Sequence, residues 1–188
     1  MTLIVSATFD GSNPDWYDAL PEPKVRVSTE HGGHPSQALV DTYRFGPKHD
    51  SYLLLQDSLE PVGDVVAPFQ AKAAKERTPA VGWASFPLFF DSPAQEVWVT
   101  RQYPYVKPTH GIFGPIFYVE RKALEKLDKL GRFPKAPPDK LMAQGTERAW
   151  AYAFALLGIV PAFLHEWSND FLASGDALPF RKHFAGRQ

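Results

Sequence analysis

The chain has 188 residues, and its 20 basic and 21 acidic side chains leave a formal net charge of -1 at pH 7. This near-neutral balance argues against a protein that binds nucleic acid or a membrane surface through a basic patch. The length predicts one domain with a substantial core, and the absence of cysteine excludes disulfides, thiol nucleophiles and thiolate metal sites.

The amino-terminal part predicts two strands, a helix and a third strand in that order. Leu3–Thr8 is a short apolar run before turn-forming residues, and Lys24–Thr29 alternates valine with polar residues, so both are predicted strands. Ser36 is a predicted cap for a helix that ends near Phe45. Tyr52–Leu55 is apolar on both faces, which is typical of a strand covered on both sides in a parallel sheet.

The rest of the chain continues the alternation of helices and strands. The predicted helices are Gly63–Glu76, Glu120–Leu130 and Glu147–Leu157, and the predicted strands are Glu96–Thr100, Ile112–Val119 and Ile159–Leu164, with one more strand expected within the apolar aromatic stretch Ala80–Phe90. Alternation of this kind predicts a single α/β domain over residues 1–188, with a central, mostly parallel sheet flanked by helices. No signal peptide and no long apolar run is recognised, so a cytoplasmic location without a membrane segment is expected.

Polar residues at the predicted strand ends are the first candidates for a site. Ligands of open α/β sheets bind beyond the carboxyl ends of the strands. Dinucleotide, phosphate-loop, serine-hydrolase and zinc-protease motifs are all missing from the sequence. The candidates at strand ends are therefore Asp10, Glu30, Asp57, Ser58 and His165.

Four ordered blocks resemble the GT-A nucleotide-sugar glycosyltransferases, especially those of the family 2 type. Tyr52–Glu60 resembles an apolar strand that runs into the D-x-D segment, and Gly111–Leu127 is similar to the acceptor loop, strand, basic pair and helix. Glu147–Gly158 resembles the segment in which a Glu-Asp pair begins a helix, and Ile159–His165 resembles the strand and histidine beyond it. The match extends over about Pro35–His165.

The resemblance implies a Rossmann-like GT-A domain that transfers a sugar from a nucleotide-diphosphate donor to a hydroxyl of a glycan or protein acceptor. It also implies a divalent cation, Mn²⁺ or Mg²⁺, held by Asp57 and His165, and Glu147 as the catalytic base. The residues implied in donor binding are Thr8, Asp10, Glu30, Asp57, Ser58 and Arg148, and those on the acceptor side are Tyr103, Gly111, Phe113 and Gly114.

Physical chemistry supports these roles, since a departing phosphate needs its charge stabilised and an attacking hydroxyl must lose a proton. The chain departs from the family at two positions: Ser58 replaces the last carboxylate of D-x-D, and Arg148 replaces the aspartate of the Glu-Asp pair. We expect Arg148 to offset missing metal charge by contacting phosphate, and Glu60 to assist Asp57.

Structural roles for the same residues remain alternatives. Asp57 would be a turn residue, Glu147 a helix-start charge, His165 an ordinary strand-end residue and Tyr103 a buried aromatic. The two departures also favour a second function, a non-catalytic nucleotide-sugar or glycan-binding protein. A third is an interaction protein that binds another protein through its aromatic, proline-rich loops.

Overall fold

A computed structural model describes residues 1–8, 15–28, 35–56, 59–86, 88, 90–112, 116–137, 145–166, 176–177 and 179–182. It confirms the predicted α/β fold with a central, mostly parallel sheet flanked by helices. The strands are β1 Thr2–Thr8, β2 Lys24–Ser28, β3 Ser51–Gln56, β4 Leu59–Pro61, β5 Ala80–Phe86, β6 Gly111–Ile112, β7 Phe117–Glu120, β8 Ala162–Glu166, β9 Asp176–Ala177 and β10 Phe180–Lys182. The helices are α1 Pro35–Phe45, α2 Ala67–Glu76, α3 Pro93–Gln102, α4 Arg121–Lys129 and α5 Gly145–Leu156.

The central sheet has the strand order β2-β1-β3-β7-β5, with β6 continuing on the β7 side of β5 and β8 on its other side. Strands β1, β2, β3, β5 and β8 run parallel, whereas β7 and β6 run antiparallel to them. From β1 the chain goes first to β2 on one side and then to β3 on the other. The order of the strands therefore reverses between β1 and β3.

Two hydrophobic clusters cover the two faces of the sheet, as the alternation of side chains along β1 shows. Leu3 and Val5 pack in the cluster that includes residues of α1, α3, α4 and α5. Ile4 packs in the other cluster, with Phe69 of α2 and Phe180 of a small antiparallel sheet, β4-β10-β9. The core therefore has a helical layer on one face, and α2 with the small sheet on the other.

The prediction of a strand at Glu96–Thr100 is wrong, because this segment lies inside helix α3. Ser92 caps the helix, since its hydroxyl accepts a hydrogen bond of 3.2 Å from the backbone N–H of Gln95. Pro93 in the first turn has a backbone suited to a helix start. The cap and the proline lie before the segment predicted as a strand.

The other elements occur with shifted boundaries. The helix predicted from Gly63 begins at Ala67, and the one strand expected within Ala80–Phe90 is β5, Ala80–Phe86. The strand predicted from Ile159 begins at Ala162. No helix in the described part of the chain is long and apolar enough to cross a membrane.

Candidate functional site

The carboxyl ends of β2, β1 and β3 form the first candidate region. The parallel register places Thr8 beside Ser28 on one side, and Ala7 beside Gln56 on the other. A ligand site in an open α/β sheet lies where the strand order reverses, outside the carboxyl ends of the strands. In this sheet that position is the edge between Thr8 and Gln56.

Four of the predicted donor-binding residues come within two residues of these strand ends in the sequence. Asp10 follows β1, Glu30 follows β2, and Asp57 and Ser58 follow β3. All four lie outside the described residues, so their placement stays a prediction. Thr8 is described, is fully buried and ends β1.

The second candidate region lies where α3 and α5 begin. Arg148 Nη2 donates to Asp91 Oδ1 at 3.3 Å, and Gln95 Nε2 donates to Asp91 Oδ2, also at 3.3 Å. The backbone N–H of Asp91 donates in return to Gln95 Oε1 at 3.1 Å. We refer to Asp91, Gln95 and Arg148 as the carboxylate cluster.

Burial makes this cluster asymmetric. Arg148 and Gln95 are buried, whereas the side chain of Asp91 is 40% exposed. A guanidinium keeps its charge in proteins, and a buried charge needs a partner. The two buried side chains therefore hold the Asp91 carboxylate from one side while its other side faces solvent.

Close packing of the two helices brings the cluster together. A Cβ atom on Gly145 would lie 2.8 Å from Gln95 Cγ and 3.0 Å from the Trp98 ring, so a larger residue would push α5 away from α3. Helix α3 follows β5, and α5 precedes β8. Strands β5 and β8 run parallel, so the end of β5 and the start of α5 lie toward the same edge of the sheet. Both helices therefore begin toward the carboxyl edge of the sheet, where their dipoles favour anionic groups.

Glu147 occupies the first turn of α5 and is partly exposed, as a general base would need to be. Arg148 follows it directly, but its buried guanidinium is turned onto Asp91. Successive helical residues point about 100° apart, so the two side chains leave the helix in different directions. The structure thus pairs Arg148 with a carboxylate, and the expected contact of Arg148 with a donor phosphate stays a prediction.

The structure describes two of the four residues predicted for the acceptor side, Gly111 and Tyr103. Gly111 pairs with Phe86 in β6, while Phe113 and Gly114 lie outside the described residues. Tyr103 is 2% exposed, and its hydroxyl donates to the Arg132 carbonyl at 3.0 Å. Burial raises the pKa of Tyr103, and the buried ring has no face open to a sugar, so we correct its expected role from acceptor contact to core residue.

His165 lies apart from the β1–β3 edge, on β8, where its ring approaches Trp83 and lines a cavity of about 610 Å³. Two strands separate β8 from β3, so these strands are three spacings apart, roughly 14 Å. Asp57 lies outside the described residues, so an ion shared between Asp57 and His165 stays a prediction.

A divalent cation would need several acidic or imidazole side chains close together. Within the described ranges, no three such side chains come together in a way that would hold a metal ion. Glu60, the expected helper of Asp57, lies in β4 opposite Arg181 of β10. The described residues alone therefore do not form a cation site.

No family model and no curated protein matches this sequence. Solved structures similar to the chain include A197 from STIV, with 14% identity, a TM-score of 0.49 and coverage of 86% of this chain and 80% of that one. Another is a putative glucose-1-phosphate thymidylyltransferase from Bacillus anthracis in complex with a sucrose, with 11% identity, a TM-score of 0.40 and coverage of 77% and 57%. Both TM-scores are too low to carry an argument about activity.

Sequence reasoning missed Asp91 and Gln95. Asp91 follows no recognisable motif, and its partner Arg148 is 57 positions away in the chain. A detectable signal was Ser92-Pro93, a cap followed by proline, which indicates a helix start directly after Asp91.

Proposed function

We propose that the protein is a glycosyltransferase that moves a sugar from a nucleotide-diphosphate donor to an acceptor hydroxyl. The observation that carries the proposal is the reversal of strand order between β1 and β3. Open α/β sheets bind nucleotides at such a reversal. The chain leaves β3 there through Gln56 into Asp57, within the block that resembles the D-x-D segment.

Asp57 and Ser58 are proposed to contact the donor diphosphate, together with Thr8 and with Asp10 and Glu30 beyond the ends of β1 and β2. A divalent cation at Asp57 remains part of the proposal because a hard cation with oxygen ligands stabilises a departing phosphate. The experiments below separate donor binding from dependence on this cation.

Glu147 is proposed as the base that takes the proton of the acceptor hydroxyl. It is partly exposed in the first turn of α5, and a positioned base contributes about 10²–10⁴ in rate. Asp91 is the alternative base, since its carboxylate is held by Arg148 and Gln95 and is open to solvent on its other side.

A non-catalytic nucleotide-sugar or glycan-binding protein is the second candidate function. The observation that favours it is the burial of Arg148 against Asp91. The residue in place of the family's catalytic aspartate thus supports the packing of α3 on α5. Turnover would then rest on Glu147 or Asp91 alone.

Donor binding is tested by a thermal-shift panel of nucleotide-diphosphate sugars, with Mg²⁺, with Mn²⁺ and with a chelator. A ligand at about 100 times its dissociation constant stabilises by roughly 2.7 kcal/mol, which is a shift of several degrees for a domain of this size. Asp57→Asn should abolish the shift, while Asp15→Asn, an exposed control, should keep it. An unchanged melting shift in Asp57→Asn would contradict the donor site. An equal melting shift in chelator would show that donor binding does not need the cation.

Turnover is tested on the donor that binds. Glu147→Gln should lower transfer about 10²-fold or more with little change in donor affinity. If Glu147 merely favours the helix dipole, the variant loses about 0.3–1 kcal/mol of stability and keeps its activity. Loss of transfer in Asp91→Asn instead would move the role of base to Asp91, and donor binding without transfer in the wild type would favour the binding protein.

A further inference from the structure

The end of α3 and the loop after it pack against the loop that follows α4. The Tyr103 hydroxyl donates to the Arg132 carbonyl at 3.0 Å, and Arg132 Nη1 donates to the Gln102 carbonyl at 3.2 Å. The backbone N–H of Lys135 donates to Gln102 Oε1 at 2.9 Å. These hydrogen bonds join residues 101–110 to residues 130–137, and the buried ring of Tyr103 anchors the junction.

The charged residues of both segments are all basic. Residues 101–110 and 130–137 contain Arg101, Lys107, Arg132 and Lys135 and no acidic residue. All four are exposed, and none of them forms an ion pair with a described residue. Because the whole chain has a net charge of -1, the four positive charges are balanced by a net charge of -5 on the other residues. The near-neutral total therefore conceals a local excess of positive charge.

Tyr105 projects from this charged surface. It is fully exposed, and its backbone φ of 68° lies in the left-handed region, which bulky side chains rarely adopt. Pro104 and Pro108 restrict the loop on either side, and the Val106 N–H donates to the Tyr103 carbonyl at 3.4 Å. Backbone strain that the surrounding structure maintains is concentrated at functional positions, so the exposed ring is a candidate contact for a ligand.

We propose that this surface binds single-stranded nucleic acid, with an unpaired base stacked on the Tyr105 ring and the phosphates held by the basic side chains around it. We call the surface the cationic patch; it consists of Arg101, Tyr105, Lys107, Arg132 and Lys135. Proteins that bind single strands combine positive charge along the backbone with aromatic rings that stack on bases. The four cations alone would attract any polyanion, whereas the ring adds a preference for an unpaired base.

The cationic patch is separate from the donor site. Helix α3 begins toward the carboxyl edge of the sheet, and the patch lies beyond its other end. The helix has 10 residues, which span about 15 Å. Nucleic-acid binding at the patch therefore does not depend on the proposed transfer reaction, and it is tested without a sugar donor.

Fluorescence anisotropy with a labelled oligothymidylate of about 16 nucleotides tests the proposal, with a duplex of the same length for comparison. The single strand should bind more tightly than the duplex, because its bases are free to stack. Four phosphate contacts on a single strand give a salt slope of about -2.8, so affinity should fall roughly 50-fold between about 50 and about 200 mM salt.

Variants separate the ring from the charges. Tyr105→Asn should weaken binding about tenfold or more without lowering the melting temperature, because asparagine tolerates a positive φ, and Tyr105→Phe should bind as the wild type does. Lys107→Gln and Lys135→Gln should each reduce the size of the salt slope by about 0.7. Lys75→Gln, at an exposed lysine of α2, is the matched control and should leave the slope unchanged.

Four results would overturn the proposal. The first is a wild type that does not bind the oligonucleotide at about 50 mM salt, and the second is a duplex that binds as tightly as the single strand. The third is normal binding by Tyr105→Asn, or a loss in Lys75→Gln equal to that in Lys107→Gln. The fourth is competition by dextran sulfate as strong as that by unlabelled oligonucleotide, which would show a surface for any polyanion.

Discussion

The carboxylate cluster predicts that Asp91→Ala costs more stability than Arg148→Met. Removing Asp91 takes the carboxylate away from a buried guanidinium, whereas removing Arg148 leaves a carboxylate that water reaches. Breaking one side of a fully buried pair costs about 3–5 kcal/mol. Because the Asp91 side chain is 40% exposed, screening reduces the expected loss to about 1–2 kcal/mol.

Chemical denaturation and melting temperature both measure this difference. Asp91→Ala should lower the melting temperature by about 2–8 °C, since 1 kcal/mol corresponds to about 2–4 °C for a domain of 150–250 residues. Arg148→Met should lose less, below about 1 kcal/mol, because the buried charge goes with the side chain. Asp15→Ala, at an exposed carboxylate, is the control and should stay near wild type.

A double-mutant cycle completes this test. Once Arg148 is methionine, Asp91→Ala should cost less than in the wild type, because the charge that needed the carboxylate is gone and only the hydrogen bond from Gln95 is lost. Two outcomes would show that the buried Arg148 charge does not depend on the Asp91 carboxylate. One is a larger loss of stability in Arg148→Met than in Asp91→Ala, and the other is a double variant whose loss is the simple sum of the two.

Two further predictions concern Gly145 and Tyr103. Gly145→Ala should cost about 1–3 kcal/mol in denaturant unfolding, because its Cβ would lie 2.8 Å from Gln95 Cγ; wild-type stability in this variant would show that α3 and α5 are not tightly packed here. Burial raises the pKa of Tyr103 above its ordinary value of 10.0, so the unfolded state loses the phenolic proton at a lower pH than the folded state. The free energy of unfolding should therefore be unaffected by this group below about pH 10 and should fall as the pH rises further. Tyr103→Phe should reduce that alkaline loss and cost about 1 kcal/mol at neutral pH through the hydrogen bond to Arg132, whereas Tyr105→Phe, at an exposed ring, should change neither.

The sequence allowed the parallel sheet to be predicted because the signal was local. Tyr52–Leu55 is apolar on both faces, and the structure buries all four side chains between the two hydrophobic clusters. The strand prediction for Glu96–Thr100 is wrong for a local reason as well, because it leaves out the cap at Ser92, which favours the helix. Val97 is 44% exposed and Val99 buried, which a helix accommodates as readily as a strand.

The carboxylate cluster was beyond sequence reasoning because its contacts are not local. Asp91 and Arg148 meet through the packing of α3 on α5, and Gly145 permits that packing by lacking a Cβ atom. The distance from His165 to the end of β3 was equally hidden, since it depends on β7 and β5 lying between them. The strand order depends on the whole sheet, so the residues at one strand end do not indicate it.

Photo-crosslinking shows where on the chain the donor binds, and so tests the donor site at the β1–β3 edge. A nucleotide-diphosphate sugar with a photoreactive base would be irradiated with the protein, and the labelled peptides would be identified by mass spectrometry. We expect label on the peptides that follow Thr8 and Gln56, and we expect excess unmodified donor to suppress it. Label confined to β8 and its cavity, or label that the donor does not suppress, would contradict a donor site at the β1–β3 edge.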